Sequence, residues 1–372
     1  MHSSNIAIVG AGLVGRLLSY QLSQLSLNVT LYEANNLSAA INHQHLSAAA
    51  FTAAGMIAPI SEAIEADIDT FHLGQSSLQM WPKIIEDLTT TSGEHIAYQH
   101  RGSLIISHPQ DSAELTHFKR QVDLLATKCS ASYQPLNSRD IHALEPDISP
   151  AFTNGLLLND EADVDNRQLM DTLLKQAIKQ GVTLQDNSKV SIDNDCVIHQ
   201  SQRSQYDWVI DCRGCGAKEH LSNLRGVRGE VLRVSCPQVT LSRPVRLMHP
   251  RYQLYLVPKP NHQYVIGATQ IESEDRSPVS IQSMLELGSA MYSINPAFSE
   301  ARIFEQNTNL RPAFADNNAQ ILVADKHISI NGLFRHGYLI APAITRSVMQ
   351  WLDGKKCPHF NILFKQQERS YA

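Results

Sequence analysis

Two short apolar runs near the start, Ile6-Ala7-Ile8-Val9 and Val29-Thr30-Leu31-Tyr32, flank a stretch of helical spacing over residues 13–27. Apolar runs of that length predict strands, so the chain opens strand–helix–strand. Downstream, residues 71–88 predict a helix bent near Pro82, and residues 104–106 a strand. Asp111-Ser112-Ala113-Glu114 has the form of a capping box and predicts a helix to about residue 127. Leu169, Leu173, Leu174, Ala177 and Ile178 give residues 166–180 a helical stripe, with Gly181 as its stop. Strands follow at 189–192, 197–199 and 206–210. From 229 to 270 the text alternates and is rich in valine, leucine and tyrosine; 252–257 and 264–266 flank a polar turn and predict an antiparallel hairpin. A helix at 279–292, further strands, and a final helix from about residue 343 to 352, ended by Gly354, complete the pattern. This succession predicts an α/β chain: a nucleotide-type domain built from both ends (1–84, 142–220 and 303–372) and an inserted β-rich domain (85–141 and 221–302).

The turn between the first strand and its helix carries the chemistry. Gly10-Ala11-Gly12-Leu13-Val14-Gly15 is a G-x-G-x-x-G, and the second strand ends in Glu33. This arrangement places a dinucleotide's diphosphate at a helix N-terminus. Gly10 permits the tight turn, Gly12 a close backbone approach, and Gly15 close packing of helix on strand. Glu33 stands near the spacing expected of an acid on ribose hydroxyls. The amides of Leu13 and Val14 open the helix. A second glycine turn, around Gly214, ends the strand at 206–210 and can return to the same ligand. The chain has one complete fingerprint. A flavin enzyme of this kind would therefore use dioxygen, or another oxidant that needs no second nucleotide domain.

A length of 372 residues suggests two domains, and a net charge of −5 gives no reason to expect nucleic acid or an anionic membrane as partner. No stretch is apolar enough to span a bilayer, and no basic leader precedes the first strand, which points to a cytoplasmic enzyme. Cys212 and Cys215 form a C-x-x-C with no second ligand pair at metal-binding spacing, so the cysteines read as incidental thiols and no metal is expected. The sixteen histidines form no ligand cluster.

On these motifs, and on several more, the chain resembles the D-amino acid oxidase superfamily of FAD enzymes, and within it the glycine oxidases of thiamine biosynthesis. Besides the fingerprint, the resemblance rests on the small-residue segment 48–59, on Asp163-Val164-Asp165-Asn166-Arg167, on Val227-Arg228-Gly229-Glu230-Val231, on Tyr255-Leu256-Val257-Pro258 and Ile266-Gly267-Ala268-Thr269, on Asn309-Leu310-Arg311-Pro312, and on 331–342. It implies a Rossmann-like FAD-binding domain with an inserted antiparallel-sheet substrate domain. Ala54, Gly55 and Met56 would pass beside the isoalloxazine, Val190 would meet the adenine, and Arg335, His336, Gly337 and Tyr338 would close the site with a helix N-terminus toward the flavin.

The resemblance also assigns the chemistry. Arg311 would bind the substrate carboxylate, since a guanidinium offers two parallel donors. Tyr255 would donate to the same carboxylate, with Tyr252 a nearby rival, and Arg335 would stand near the substrate or at the pocket mouth. The implied reaction is oxidation of glycine or another small amine to its imine, with dioxygen reduced to hydrogen peroxide and the imine used by a thiazole synthase. The alternatives are sarcosine or D-amino acids as substrates, electron transfer to a carrier, or a non-catalytic flavoprotein. Residues 309–316 lack the cysteine that anchors flavin in sarcosine oxidases, so FAD would be non-covalent. Arg213 departs from the small-residue turn of relatives and would either approach the diphosphate or point to solvent. Many relatives are tetramers, which points to a homo-oligomer.

Overall fold

The computed structural model describes residues 4–25, 27–38 and 48–366. Two sheets organise it. In the seven-stranded sheet the neighbours run Phe364–Gln366, Gln320–Ala324, His327–Asn331, Trp208–Asp211, Asn5–Val9, Asn28–Tyr32 and Thr183–Gln185. The pairs on either side of Asn5–Val9 are parallel, as a crossover helix between them requires. That helix, Leu13–Ser23, buries Leu13, Val14, Leu17, Leu18 and Leu22. Their spacing puts one apolar stripe on the sheet. Helices Ile68–Ser92, Asn166–Lys179 and Gly337–Leu352 supply the rest of this core.

The eight-stranded sheet runs Arg302–Ala313, Arg225–Ser235, Gln263–Gly267, Tyr252–Lys259, Val245–His249, Ser103–Ser107, Asn154–Leu158 and Gln134–Asn137. It is antiparallel except where Val245–His249 meets Ser103–Ser107. One face buries Leu232, Leu254, Leu256 and Ile266 with Leu287 and Met291 of helix Ile281–Ile294. The other face packs Ile105, Leu156 and Met248 with Phe118 and Val122 of helix Ser112–Ala126. The hairpin and most elements expected from the pattern are present. Strand Asn154–Leu158 and residues 303–313 of strand Arg302–Ala313, which the sequence division places in the nucleotide-type segments, hydrogen-bond into this sheet.

Four local readings change. Asp111 closes a 3-10 turn and its side chain caps nothing; the reciprocal capping box belongs to Asn137 and Asp140, at the start of Ser138–Leu144. A strand absent from the pattern, Gln202–Gln205, completes a small meander with Ser191–Asp193 and Cys196–His199; its polar text hides it. Val190 accordingly lies just before its strand rather than within it. The last helix starts at Gly337 and not near residue 343. Pro342 therefore lies inside the helix, where a proline cannot donate to the ladder. Here the Tyr338 carbonyl that Pro342 leaves free accepts the Trp81 indole N–H at 2.9 Å, and the Ala343 amide donates to the Ser77 hydroxyl at 3.1 Å.

Candidate active site

Between the two sheets lies a cavity of about 630 Å³. Its nucleotide end is built by the turns after the parallel strands. Gly10 has φ +104°, and a Cβ there would stand 2.6 Å from the Cys212 carbonyl oxygen. Gly15 does not border the cavity; a Cβ on it would meet the Gly10 carbonyl oxygen at 1.9 Å, so it is the contact that seats helix on strand. Gly12 is different. A Cβ there would meet, among the described residues, only the Ala48 methyl, at 3.8 Å, and Gly12 borders the cavity with Leu13 and Val14. At Gly337, the first residue of helix Gly337–Leu352, an added Cβ would meet no described residue within 4 Å, and it too borders the cavity. Two helix N-termini thus leave bare backbone facing one space, which favours an anionic ligand. Glu33 borders the same end, where it accepts the Ala11 amide at 2.8 Å and the Asn35 amide at 3.0 Å. Val190, Gly214, Ala54, Gly55, Met56 and Tyr338 also line the space.

The small-residue segment keeps its backbone toward the cavity because other residues hold it from behind. Asn166 Nδ2 donates to the Ala50 carbonyl at 2.8 Å, the Tyr338 hydroxyl donates to the same carbonyl at 2.9 Å, and Arg233 reaches the Phe51 carbonyl at 3.3 Å. Gly55, at φ +79°, lies against the Val164 carbonyl, where a Cβ would come within 2.2 Å. Arg213 borders the cavity and its side chain is largely enclosed, so it does not point to solvent. It folds back on Asp211, with Nε 2.9 Å from Oδ1 and Nη2 2.7 Å from Oδ2. All six cysteines are free thiols; Cys212 and Cys215 border the cavity, and burial pushes both thiols up.

The other end carries Arg311, Tyr255, Glu62 and Arg335. Arg311 faces the cavity from strand Arg302–Ala313. Its Nη1 donates to the Arg228 carbonyl at 3.3 Å and its Nη2 to the Thr269 carbonyl at 3.0 Å. Glu230 fixes the Thr269 turn by accepting its hydroxyl at 3.1 Å, and the Glu230 amide donates back to that hydroxyl at 3.0 Å. Among the described residues no carboxylate pairs with Arg311. Burial, reinforced by the charge of Arg335, lowers its pKa to about 10. The Tyr255 hydroxyl accepts from Arg246 Nη1 at 3.0 Å, which leaves its own proton free for an acceptor in the cavity. Burial raises its pKa, so it remains a phenol. The Tyr252 side chain lies outside the described residues.

Arg335 is not a free cation. Its Nε lies 2.7 Å from Glu62 Oε2 and its Nη2 3.0 Å from Glu62 Oε1, and Nη1 pairs with Glu65. His336 does not border the cavity; it is buried behind Glu62, with Nδ1 3.1 Å from Oε2. Burial opposes the Glu62 charge, but Arg335 and His336 outweigh it and hold Glu62 at about 2. Glu62, Gly229 and Arg233 were not singled out by sequence reasoning. Gly229 lay in a quoted motif without a role, and an isolated glutamate in a helix gives no signal of its own.

A cavity with bare helix N-termini at one end and an unpaired guanidinium at the other suits a dinucleotide beside a small anion. Residues 5–351 match the family described as FAD dependent oxidoreductase. The chain belongs to that family. It is 34% identical over 349 residues, 93% of this chain and 96% of the other, to the protein named thiamine biosynthesis oxidoreductase ThiO in Rhizobium etli. It is 25% identical to the bifunctional protein ThiO/ThiG of Trichormus variabilis, over 98% of this chain and 56% of that one. In three dimensions it is similar to glycine oxidase from Geobacillus kaustophilus, with a TM-score of 0.83, 20% identity and 96% of each chain covered. The protein is an FAD-dependent oxidoreductase, and the open backbone at Gly12 and Gly337 fits that cofactor. Among the described residues no helix is long and apolar enough to cross a membrane.

Proposed function

We propose that the protein oxidises glycine to its imine, with dioxygen taking the two electrons and two protons as hydrogen peroxide. One observation carries this reading: Arg311 faces the cavity with no carboxylate partner among the described residues, and Tyr255, whose hydroxyl keeps a free proton, lines the same cavity. Together they offer a charge-assisted seat for one carboxylate. The backbone carbonyls of Arg228 and Thr269 hold the guanidinium still, so binding would also orient the α-carbon. Bound FAD supplies the two-electron acceptor for the α-C–H bond. The residues at this end position the substrate, and none is assigned as a general base.

The names of the relatives support glycine as substrate. The joining of ThiO to ThiG in the Trichormus protein supports a partner that consumes the imine, which we take to be a thiazole synthase. The test is an anaerobic flavin spectrum before and after glycine. Bleaching that reverses in air with release of peroxide is the expected result. Flavin that stays oxidised with glycine but bleaches with sarcosine or a D-amino acid would redirect the substrate. Flavin that no small amine bleaches would leave a non-catalytic flavoprotein, and bleaching without peroxide in air a dehydrogenase.

A further inference from the structure

At the substrate end of the cavity, among the described residues, Arg311 has no carboxylate partner while Arg335 is cancelled by carboxylates. Arg311 and Arg335 both border the substrate end. Arg335 is bound through two nitrogens to Glu62 and through its third to Glu65, and Glu62 itself borders the cavity. Arg246 pairs with Glu65, donates to Tyr255 and does not border the cavity. Of the other cations that border it, Lys189 and Arg276 are exposed to solvent, Arg213 is paired with Asp211 and Lys218 with Glu274. A glycine-sized anion needs one cation. A second guanidinium so near would invite a second carboxylate if its charge were open.

We propose that Glu62 is a specificity-determining residue: by holding Arg335 as an ion pair on the cavity wall, it leaves Arg311 as the enclosed, carboxylate-free cation among the described residues and so rejects ligands with two carboxylates. This rests on the reading of Arg311 as the carboxylate site. The rejected class is the dicarboxylates, amino-dicarboxylic acids included. Glu62→Gln keeps the shape of the side chain and removes its charge, so Arg335 gains capacity for an anion.

The test needs no turnover. Acetate, malonate, succinate and glutarate are titrated into the FAD-loaded protein, and binding is followed by the change in flavin absorbance. In the wild type no dicarboxylate should bind more tightly than acetate; tighter binding there overturns the proposal without any variant. In Glu62→Gln the best dicarboxylate should gain about tenfold over acetate. Glu62→Asp, which restores the charge, should keep the wild-type ratio. Glu62→Gln combined with Arg335→Gln should lose the gain. An unchanged ratio in folded, flavin-bearing Glu62→Gln, or a gain that survives loss of Arg335, overturns the role of Glu62 and leaves Arg311 in place. Failure of every anion to bind the wild type removes the Arg311 reading and this proposal together.

Discussion

Gly229 is the floor on which Arg311 lies. A Cβ at residue 229 would stand 2.5 Å from the guanidinium carbon Cζ and 2.5 Å from Nη2. Gly229 does not have a left-handed backbone, so space and not conformation demands glycine there. The two strands are paired in register, Gly229 opposite Asn309 and Val227 opposite Arg311. In Gly229→Ala the guanidinium must shift by an ångström or so, off the Arg228 and Thr269 carbonyls. On the proposed function, the KM for glycine should rise by about 10²-fold with FAD retained. Arg311→Ala, which removes the cation, should raise it at least as far. In an Arg311→Lys background, with no planar fork to displace, the Gly229→Ala change should cost much less. Additive effects of the two changes would separate Gly229 from Arg311.

The flavin should leave the protein on denaturation. Cys212 and Cys215 are the cysteines that border the cavity, and burial raises the pKa of both, so neither is primed as the thiolate that attachment needs. Acid precipitation should release all yellow colour into the supernatant. Colour retained in the pellet, and on a peptide containing residue 212 or 215, would show a covalent link.

The nucleotide end was legible because its chemistry is local. Gly10, Gly12 and Gly15 fall within one turn and helix start whose geometry dictates residue type, Glu33 follows one helix and one strand later at a fixed spacing, and the apolar runs around them have the period of their elements. The substrate end was legible at Arg311 and Tyr255 through resemblance, and not through spacing. Its remaining parts are long-range. Glu62 meets Arg335 across more than half the chain, and Gly229 has meaning only once Arg311 lies upon it. Arg335 is the instructive case: its place at the cavity could be anticipated, but its neutralisation by Glu62 and Glu65 could not, because no local pattern couples those segments.

Glu161 should give stability a pH dependence of its own. It is fully buried, and its Oε1 accepts the Ser61 amide at 2.8 Å. Burial pushes its pKa up to about 7, from an ordinary value of 4.5. The folded state therefore holds the proton more tightly than the unfolded chain. That contribution is complete below about pH 4.5 and is lost as pH rises through about 7. Glu161→Gln keeps an acceptor for Ser61 and cannot ionise. The stability of the variant relative to wild type should rise by roughly 3 kcal/mol between pH 4.5 and pH 8, read from urea unfolding. A difference that stays flat over this range would place the titration of Glu161 elsewhere.

Trp81 and Pro342 should prove coupled. Pro342 cannot donate to the Tyr338 carbonyl one turn back, and the Trp81 indole does so instead, at 2.9 Å, from a fully buried position on the neighbouring helix. The pair fixes the first turns of the helix whose N-terminal Gly337 borders the cavity. In Trp81→Phe the carbonyl is left buried and unpaired, which should cost about 1–3 kcal/mol beyond the loss of ring volume. Pro342→Ala restores a backbone N–H that can reach that carbonyl, so Trp81→Phe should cost less in the Pro342→Ala background than in the wild type. Urea unfolding of the four proteins gives the coupling directly. A coupling near zero would mean that the indole does not stand in for the missing helical bond, and the continuity of this helix through Pro342 would need another cause.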